Sequence, residues 1–258
     1  QAYKSENLTF EFFDVRLTGN SVNLAQGFDA VCAFVNDELT PEVLNKLNQF
    51  NIKGIALRCA GFNNLDLPTF INLPIRAARV PAYSPEAVAE HTIAMMMTLN
   101  RRLHKAYNRT KEDNFSLDGL LGFNIHGKTV GLIGTGKIGL ATAKIIKGFG
   151  AKILAFDPFP SDEAKQIGCE YTDLNSLLAS SDIISLHCPL TEDSQHIINQ
   201  TSVNLMKDGV MIINTSRGGL IDTSAMIDGL KSGKIGHLAL DVYEQESELF
   251  FEDHSTSI

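Results

Sequence analysis

From Thr129 onward, short apolar runs alternate with amphipathic stretches. The runs are TVGLIG (129–134), KILAFDP (152–158), DIISLHCP (182–189), GVMIINTS (209–216) and HLALDVY (237–243). Their hydrophobicity is nearly continuous rather than alternating, which suits parallel strands covered by helices on both faces. Between them lie helix candidates such as KIGLATAKIIKGFG and DTSAMIDGLKSGK, the second opening on Asp222 as an N-cap and closing at Gly233. This is the rhythm of a doubly wound sheet. The N-terminal third repeats it more briefly. FEFFDV, DAVCAFV, IKGIALRC and IRAARVP read as strands, and TPEVLNKLNQF as a helix capped by Thr40 with Pro41 at its first position. Joining the two parts, SPEAVAEHTIAMMMTLNRRLHKAYNRT reads as one long helix starting at Ser84, whose Met95, Met96, Met97 and Leu99 suit core or subunit-interface packing. The expected fold class is α/β, with two doubly wound parallel-sheet (Rossmann-like) domains. Residues 1–82 make the smaller, incomplete one, and residues 83–258, including the linking helix, the larger.

Composition narrows the function classes. The 258 residues are 44% hydrophobic and 20% charged, ordinary for a globular protein. The most apolar stretch, AVAEHTIAMMMTL, is interrupted by Glu90 and His91, so no membrane span is expected. A net charge of −8 and no basic run beyond Arg101–Arg102 argue against nucleic-acid binding. Cys32, Cys59, Cys169 and Cys188 form no CxxC pair, so neither a zinc site nor a disulfide framework is expected, and the compartment reads as a reducing cytosol.

The candidate chemistry lies at strand ends. Gly134, Gly136 and Gly139 form GxGxxG directly after a strand and at the opening of a helix. There, glycine permits the tight turn and the close approach of a pyrophosphate, and the helix N-terminus offers unpaired N–H groups to it. Asp157 ends the next strand, 18 residues past Gly139, where a carboxylate can accept from both ribose hydroxyls and repel a 2′-phosphate. NAD is therefore expected rather than NADP. A strand-end Asp closing a turn with Pro158 is the plainer alternative. His187, Cys188 and Pro189 follow the third strand, Thr215, Ser216 and Arg217 the fourth, and Asp241 lies near the end of the fifth. Arg217 offers a guanidinium to a carboxylate, although its spacing is equally compatible with a surface ion pair.

The segments GLIGTGKIGLATAKIIKGFG, AFDP, HCPLT, NTSRGGLID and ALDVYEQE together resemble the D-2-hydroxyacid dehydrogenases, along essentially the whole chain. RCAGFNNLDL, RVPAYSPEAVAEHTIAMMMTLNRR and ELFFEDHS are similar to the bacterial fermentative D-lactate dehydrogenase branch, which reduces pyruvate with NADH. The resemblance implies a substrate domain completed by the chain's C-terminal part, an inserted dinucleotide domain and a homodimer formed through it. It implies that Arg217 binds the substrate carboxylate and that Glu246 hydrogen-bonds a catalytic histidine. It further implies NAD contacts at Lys137, Ile138, Asp157, Cys188, Pro189, Thr215, Ser216 and Asp241, and substrate contacts at Ala60, Gly61 and Tyr83. Ser194 stands where relatives often have Asn, and Asn63 and Asn64 read equally as turn residues. Apart from the resemblance, Glu246 reads as one of several solvated charges with Glu244, Glu248 and Glu252.

In that family the catalytic histidine sits in a GHQAF-like segment well downstream of the glutamate. The sequence reaches Ile258 before it, and none of its seven histidines substitutes. The expectation is a fragment with turnover about 10² to 10⁴ slower than a version carrying that general acid. Two further readings stay open: an NAD(H)-sensing oligomeric regulator of the same family, and a dehydrogenase for another 2-keto acid.

Overall fold

The structure is a computed structural model that describes residues 8–81 and 84–245. The chain forms two compact units, Gln1–Tyr83 and Ser84–Ile258.

In the first unit, β1 (Ala30–Ala33), β2 (Gly54–Leu57) and β3 (Arg76–Arg79) form a parallel sheet in the order β1-β2-β3. Helix α1 (Pro41–Gln49) starts where Thr40 accepts from the Val43 N–H, and Pro41 occupies a position that needs no intrahelical donor. Its Val43, Leu44 and Leu47 are buried with Val22, Leu39 and Ile55 in one core. The short α2 (Leu67–Phe70) is capped by Asp66. Residues 10–15, expected as a strand, do not form one. Phe12 is 89% exposed and Val15 57%. Apolar content alone cannot make a strand without a neighbour to complete its hydrogen bonds.

The second unit begins with α3 (Pro85–Arg101) and α4 (Leu103–Lys111). The expected single long helix is thus two. Arg102 between them takes φ 51° and its guanidinium donates to the Gly119 carbonyl, while the buried Asn100 side chain bonds both the N–H and the C=O of Phe123. These side-chain bonds to the following loop favour a break that helix propensity does not announce. A six-stranded parallel sheet follows: β4 (Thr129–Ile133), β5 (Lys152–Phe156), β6 (Cys169–Tyr171), β7 (Ile183–Leu186), β8 (Val210–Asn214) and β9 (Ile235–Leu240). Their spatial order, β6-β5-β4-β7-β8-β9, reverses between β4 and β7, the doubly wound dinucleotide-binding order. Helices α5 (Lys137–Gly148), α6 (Asp162–Ile167), α7 (Leu174–Ser180), α8 (Gln200–Leu205) and α9 (Thr223–Ser232) connect the strands. As expected, Asp222 caps α9 and Gly233, at φ 78°, ends it.

Alternate strand residues feed two cores. Val130 and Leu132 pack with Met96 and Ile146 on one face, and Ile133 with Leu177 and Leu178 on the other. All of β8 is buried. Met95, Met97 and Leu99 border the first of these cores, in line with the packing role expected of them. Strand β9 stops at Leu240, so Asp241 and Tyr243 lie in the loop beyond it rather than in the strand.

Candidate functional site

The strand order reverses between β4 and β7, and the loops at their carboxyl ends meet there. Gly134, at φ 100°, turns the chain out of β4, and a Cβ at this position would lie 2.6 Å from the Cys188 nitrogen. A Cβ on Gly139 would come within 2.2 Å of the Gly134 carbonyl oxygen. Both glycines therefore permit backbone-to-backbone contact. Gly136 differs, because a Cβ there would meet nothing within 4 Å. It is the N-cap of α5, no side chain caps the helix, and Lys137 and Ile138 open the first turn. An uncapped helix start behind an open glycine fits a pyrophosphate, which needs donors and room for close approach.

Asp157 stands beside this bend. Its Oδ2 accepts from the Thr135 N–H at 2.7 Å and the Thr135 hydroxyl at 3.1 Å, and its Oδ1 from the Phe159 N–H at 2.9 Å. The last bond closes the turn over Pro158, so the carboxylate serves the turn and faces the bend at once.

On the β7 side, the His187 N–H donates to the Ile133 carbonyl at 2.7 Å. The ring's Nε2 lies 3.0 Å from Ser185 Oγ, and Nδ1 is buried without a partner among the described residues. Burial pushes the imidazole pKa down to about 4, so it is neutral at physiological pH. Burial likewise pushes the Cys188 thiol up to about 11, which keeps it protonated. Neither side chain is suited to acid or thiolate chemistry, and the Cys188 backbone contributes instead, its carbonyl accepting from Ser216 Oγ at 2.7 Å. Ser194 Oγ donates to the Pro189 carbonyl at 2.7 Å and stays within its own turn.

Arg217 follows β8 and is exposed, with its own guanidinium donating to the Ser216 carbonyl at 2.7 Å. What shapes its loop is Asn214, fully buried, which accepts from the Ser216 N–H at 3.0 Å and donates to the Arg217 carbonyl at 2.8 Å. The Thr215 hydroxyl meets that of Thr92 at 2.8 Å, and Asp241 Oδ1 lies 3.2 Å from His91 Nε2. Helix α3 therefore braces the ends of β8 and β9 through two side chains that its sequence does not mark as functional.

Glu244, grouped by sequence with the solvated charges, is exposed and also engaged by partners. Its Oε1 lies 2.6 Å from His196 Nε2, and its Oε2 accepts from the Thr223 hydroxyl at 2.5 Å and N–H at 3.1 Å. The Thr223 hydroxyl bond is the main reason its pKa lies below the ordinary carboxylate range. A Cβ on Gly218 would lie 2.2 Å from the Tyr243 carbonyl carbon, so the loop after β9 rests directly on the residue following Arg217. These contacts span 21 and 48 residues, and spacing gives no signal for them.

In the first unit, Ala60 and Gly61 follow β2. The Ala60 carbonyl accepts from Arg79 at 2.7 Å, and the Gly61 carbonyl from the Cys59 thiol at 3.3 Å. Asn64 donates to the Phe34 and Asp37 carbonyls, each at 2.9 Å, the turn role expected for it. Tyr83 and Glu246 lie outside the described residues.

A doubly wound sheet with a glycine bend, an uncapped helix and a strand-end aspartate at its reversal point defines a dinucleotide-binding protein. A profile described as the D-isomer specific 2-hydroxyacid dehydrogenase, NAD binding domain, matches residues 93–255. The chain is 56% identical to the D-lactate dehydrogenase of Escherichia coli (strain K12), over 100% of its own length and 78% of the relative's. The apo structure of D-lactate dehydrogenase from Escherichia coli superposes with a TM-score of 0.86 at 57% identity, covering 93% of this chain and 76% of that one. A D-lactate dehydrogenase from Aquifex aeolicus, complexed with NAD and lactic acid, does so with a TM-score of 0.83 at 41% identity, covering 92% and 71%. The chain belongs to the D-isomer specific 2-hydroxyacid dehydrogenases. Its cofactor is NAD.

Proposed function

We propose that the protein reduces pyruvate to D-lactate at the expense of NADH. The single observation that carries this reading is the Asn214-shaped loop. It holds the exposed Arg217 just past β8, and its Ser216 hydroxyl donates to the Cys188 carbonyl beside the glycine bend. Relatives named D-lactate dehydrogenase support the choice of substrate. Residues 83–258 form the NAD domain in this reading and residues 1–82 the substrate domain.

The N–H groups of Lys137 and Ile138 hold the pyrophosphate, with Gly134, Gly136 and Gly139 giving it room, and Asp157 holds the adenosine ribose. Cys188 and Pro189 border the adenine side, and Thr215, Ser216 and Asp241 face the nicotinamide. The bound cofactor supplies the hydride that reduces the keto carbon. Arg217 grips the pyruvate carboxylate in a two-pronged pair and polarises the neighbouring carbonyl, which fixes the carbon for attack. Family resemblance assigns substrate contacts to Ala60, Gly61 and Tyr83. The resemblance gives Glu246 the role of partner to the family's catalytic histidine, favouring its protonated form so that a proton is available as the carbonyl oxygen becomes an alkoxide.

The protein works as a homodimer. Supporting this, Leu103, Tyr107, Phe115, Leu117 and Leu121 are each at least 58% exposed within one stretch of the second unit, apolar side chains that a second copy can cover. A cytoplasmic setting is supported by four cysteines that are all free thiols.

Turnover of NADH by the full-length protein against a panel of 2-keto acids tests the reading. Pyruvate is expected to give the highest kcat/KM and D-lactate to be the sole enantiomer formed. A preference for a bulkier keto acid, L-lactate as product, or no turnover overturns it.

A further inference from the structure

Around Asp157, hydrogen bonding has a direction that the atoms themselves impose. The Thr135 hydroxyl owns one hydrogen, and Asp157 Oδ2 at 3.1 Å can only accept it. Tyr171 Oη lies 2.7 Å from the same hydroxyl oxygen, so the phenol is the donor there. The phenol oxygen in turn accepts from the Ser161 N–H at 2.9 Å. The result is a one-way relay from the Ser161 N–H through the Tyr171 and Thr135 hydroxyls to Asp157 Oδ2. Tyr171 ends β6 at the sheet edge, Ser161 is the N-cap of α6, and Thr135, 4% exposed, lies inside the glycine bend. Three separate segments thus converge on one carboxylate.

The relay leaves Asp157 with a defined vacancy. Oδ2 already accepts two hydrogen bonds, from the Thr135 N–H and hydroxyl, and Oδ1 accepts one, from the Phe159 N–H. With about two acceptor directions per carboxylate oxygen, the open one belongs to Oδ1. We infer that Tyr171 and Thr135 are positioning residues for the dinucleotide, which hold the Asp157 carboxylate so that Oδ1 takes a ribose hydroxyl and the fixed charge excludes a 2′-phosphate. This rests on the NAD reading given above and names the residues that enforce it. Successive hydroxyls donating in one direction polarise each other, so removing the outermost one weakens the bond at the carboxylate. Tyr171 carries no part of the glycine motif, and only the fold brings it to the bend.

The test is equilibrium titration with NADH and with NADPH, read by the nucleotide's fluorescence, for the parent, Tyr171→Phe, Thr135→Val and Thr135→Ser. Thermal unfolding of each checks folding. Loss of a neutral hydrogen bond in this setting corresponds to a rise of roughly twofold to tenfold in the NADH Kd. Tyr171→Phe and Thr135→Val are expected to show it with little or no weakening of NADPH, so that the preference between the two nucleotides narrows. Thr135→Ser, which keeps the hydroxyl, is expected to match the parent. Folded Tyr171→Phe and Thr135→Val proteins with the parent's NADH affinity and preference overturn the inference and leave the NAD reading intact. Equal weakening of both nucleotides overturns the selectivity role. A folded parent that binds no NADH overturns the NAD reading, and the inference with it.

Discussion

Replacing Gly136 by alanine separates the seat of the cofactor from the stability of the fold. Gly136 has φ −66° and ψ −169°, a conformation open to any residue, and an added Cβ meets nothing within 4 Å. In the folded protein the methyl group is therefore accommodated. Alanine is a poorer N-cap than glycine by about 0.5 to 1 kcal/mol, and the stiffer unfolded chain offsets about 0.4 to 1 kcal/mol of that. The two terms nearly cancel, so the Tm is expected to move by less than about 2 °C. The space the methyl takes is the approach to the first N–H groups of α5. Hydrogen bonds to a charged partner contribute about 1.5 to 3 kcal/mol each, so losing the equivalent of one raises the NADH Kd roughly tenfold to a hundredfold. Gly139→Ala provides the contrast. Its Cβ would lie 2.2 Å from the Gly134 carbonyl oxygen, and the backbone must shift, at a cost of about 1 to 3 kcal/mol. NADH fluorescence titration together with thermal unfolding reads both effects. A stable Gly136→Ala protein that binds NADH as the parent does refutes the reasoning that this bend seats the pyrophosphate.

Three further outcomes are expected. Arg217→Lys keeps the charge but loses the planar fork, and should raise the pyruvate KM and lower kcat, together at least about tenfold in kcat/KM, while leaving the NADH Kd unchanged; steady-state kinetics beside titration checks this. Glu244→Gln loses the charge that binds Thr223 and His196, and should loosen the loop resting on Gly218; a raised pyruvate KM with an intact NADH Kd is the expected signature, and unchanged kinetics counts against it. The His187 pKa lies near 4 in the folded state and near 6.5 unfolded, so the unfolded chain binds the extra proton between those values. Stability is therefore complete above about pH 6.5 and falls as the pH drops toward 4, by up to about 1.4 kcal/mol per unit from this residue alone. Denaturant unfolding across that range should show a shallower acid limb for His187→Asn than for the parent.

Much of the second unit was legible because its features are local. Unbroken apolar runs mark strands buried on both faces, and Asp222 and Gly233 carry the cap and stop of α9 within a few residues. The glycine motif is read the same way, since the roles of Gly134, Gly136 and Gly139 follow from their spacing between a strand and a helix. What escaped depends on distant partners. The break at Arg102 is set by contacts of Arg102 and Asn100 with loop residues 17 and 23 positions beyond each, and the short edge strand Cys169–Tyr171 exists because β5 is there to pair with it. Residues 10–15 carry apolar side chains but find no such pairing neighbour among the described residues. Asn214 stands in a motif quoted for its arginine, and its role appears only when its amide is seen bracing the turn. Glu244 and Tyr171 acquire meaning from contacts across the fold, Arg217 is marked by its place after a strand but receives its role from family resemblance, and Glu246 and the substrate-side positions rest on that resemblance alone.

The most direct test of the central claim is a crystal structure of the full-length protein with NADH and oxamate, an unreactive pyruvate-shaped anion. The expected result has the pyrophosphate on the N–H groups of Lys137 and Ile138, the adenosine ribose on Asp157 and the oxamate carboxylate in the fork of Arg217. Coenzyme bound elsewhere, or an Arg217 side chain turned to solvent with oxamate held by other groups, contradicts it.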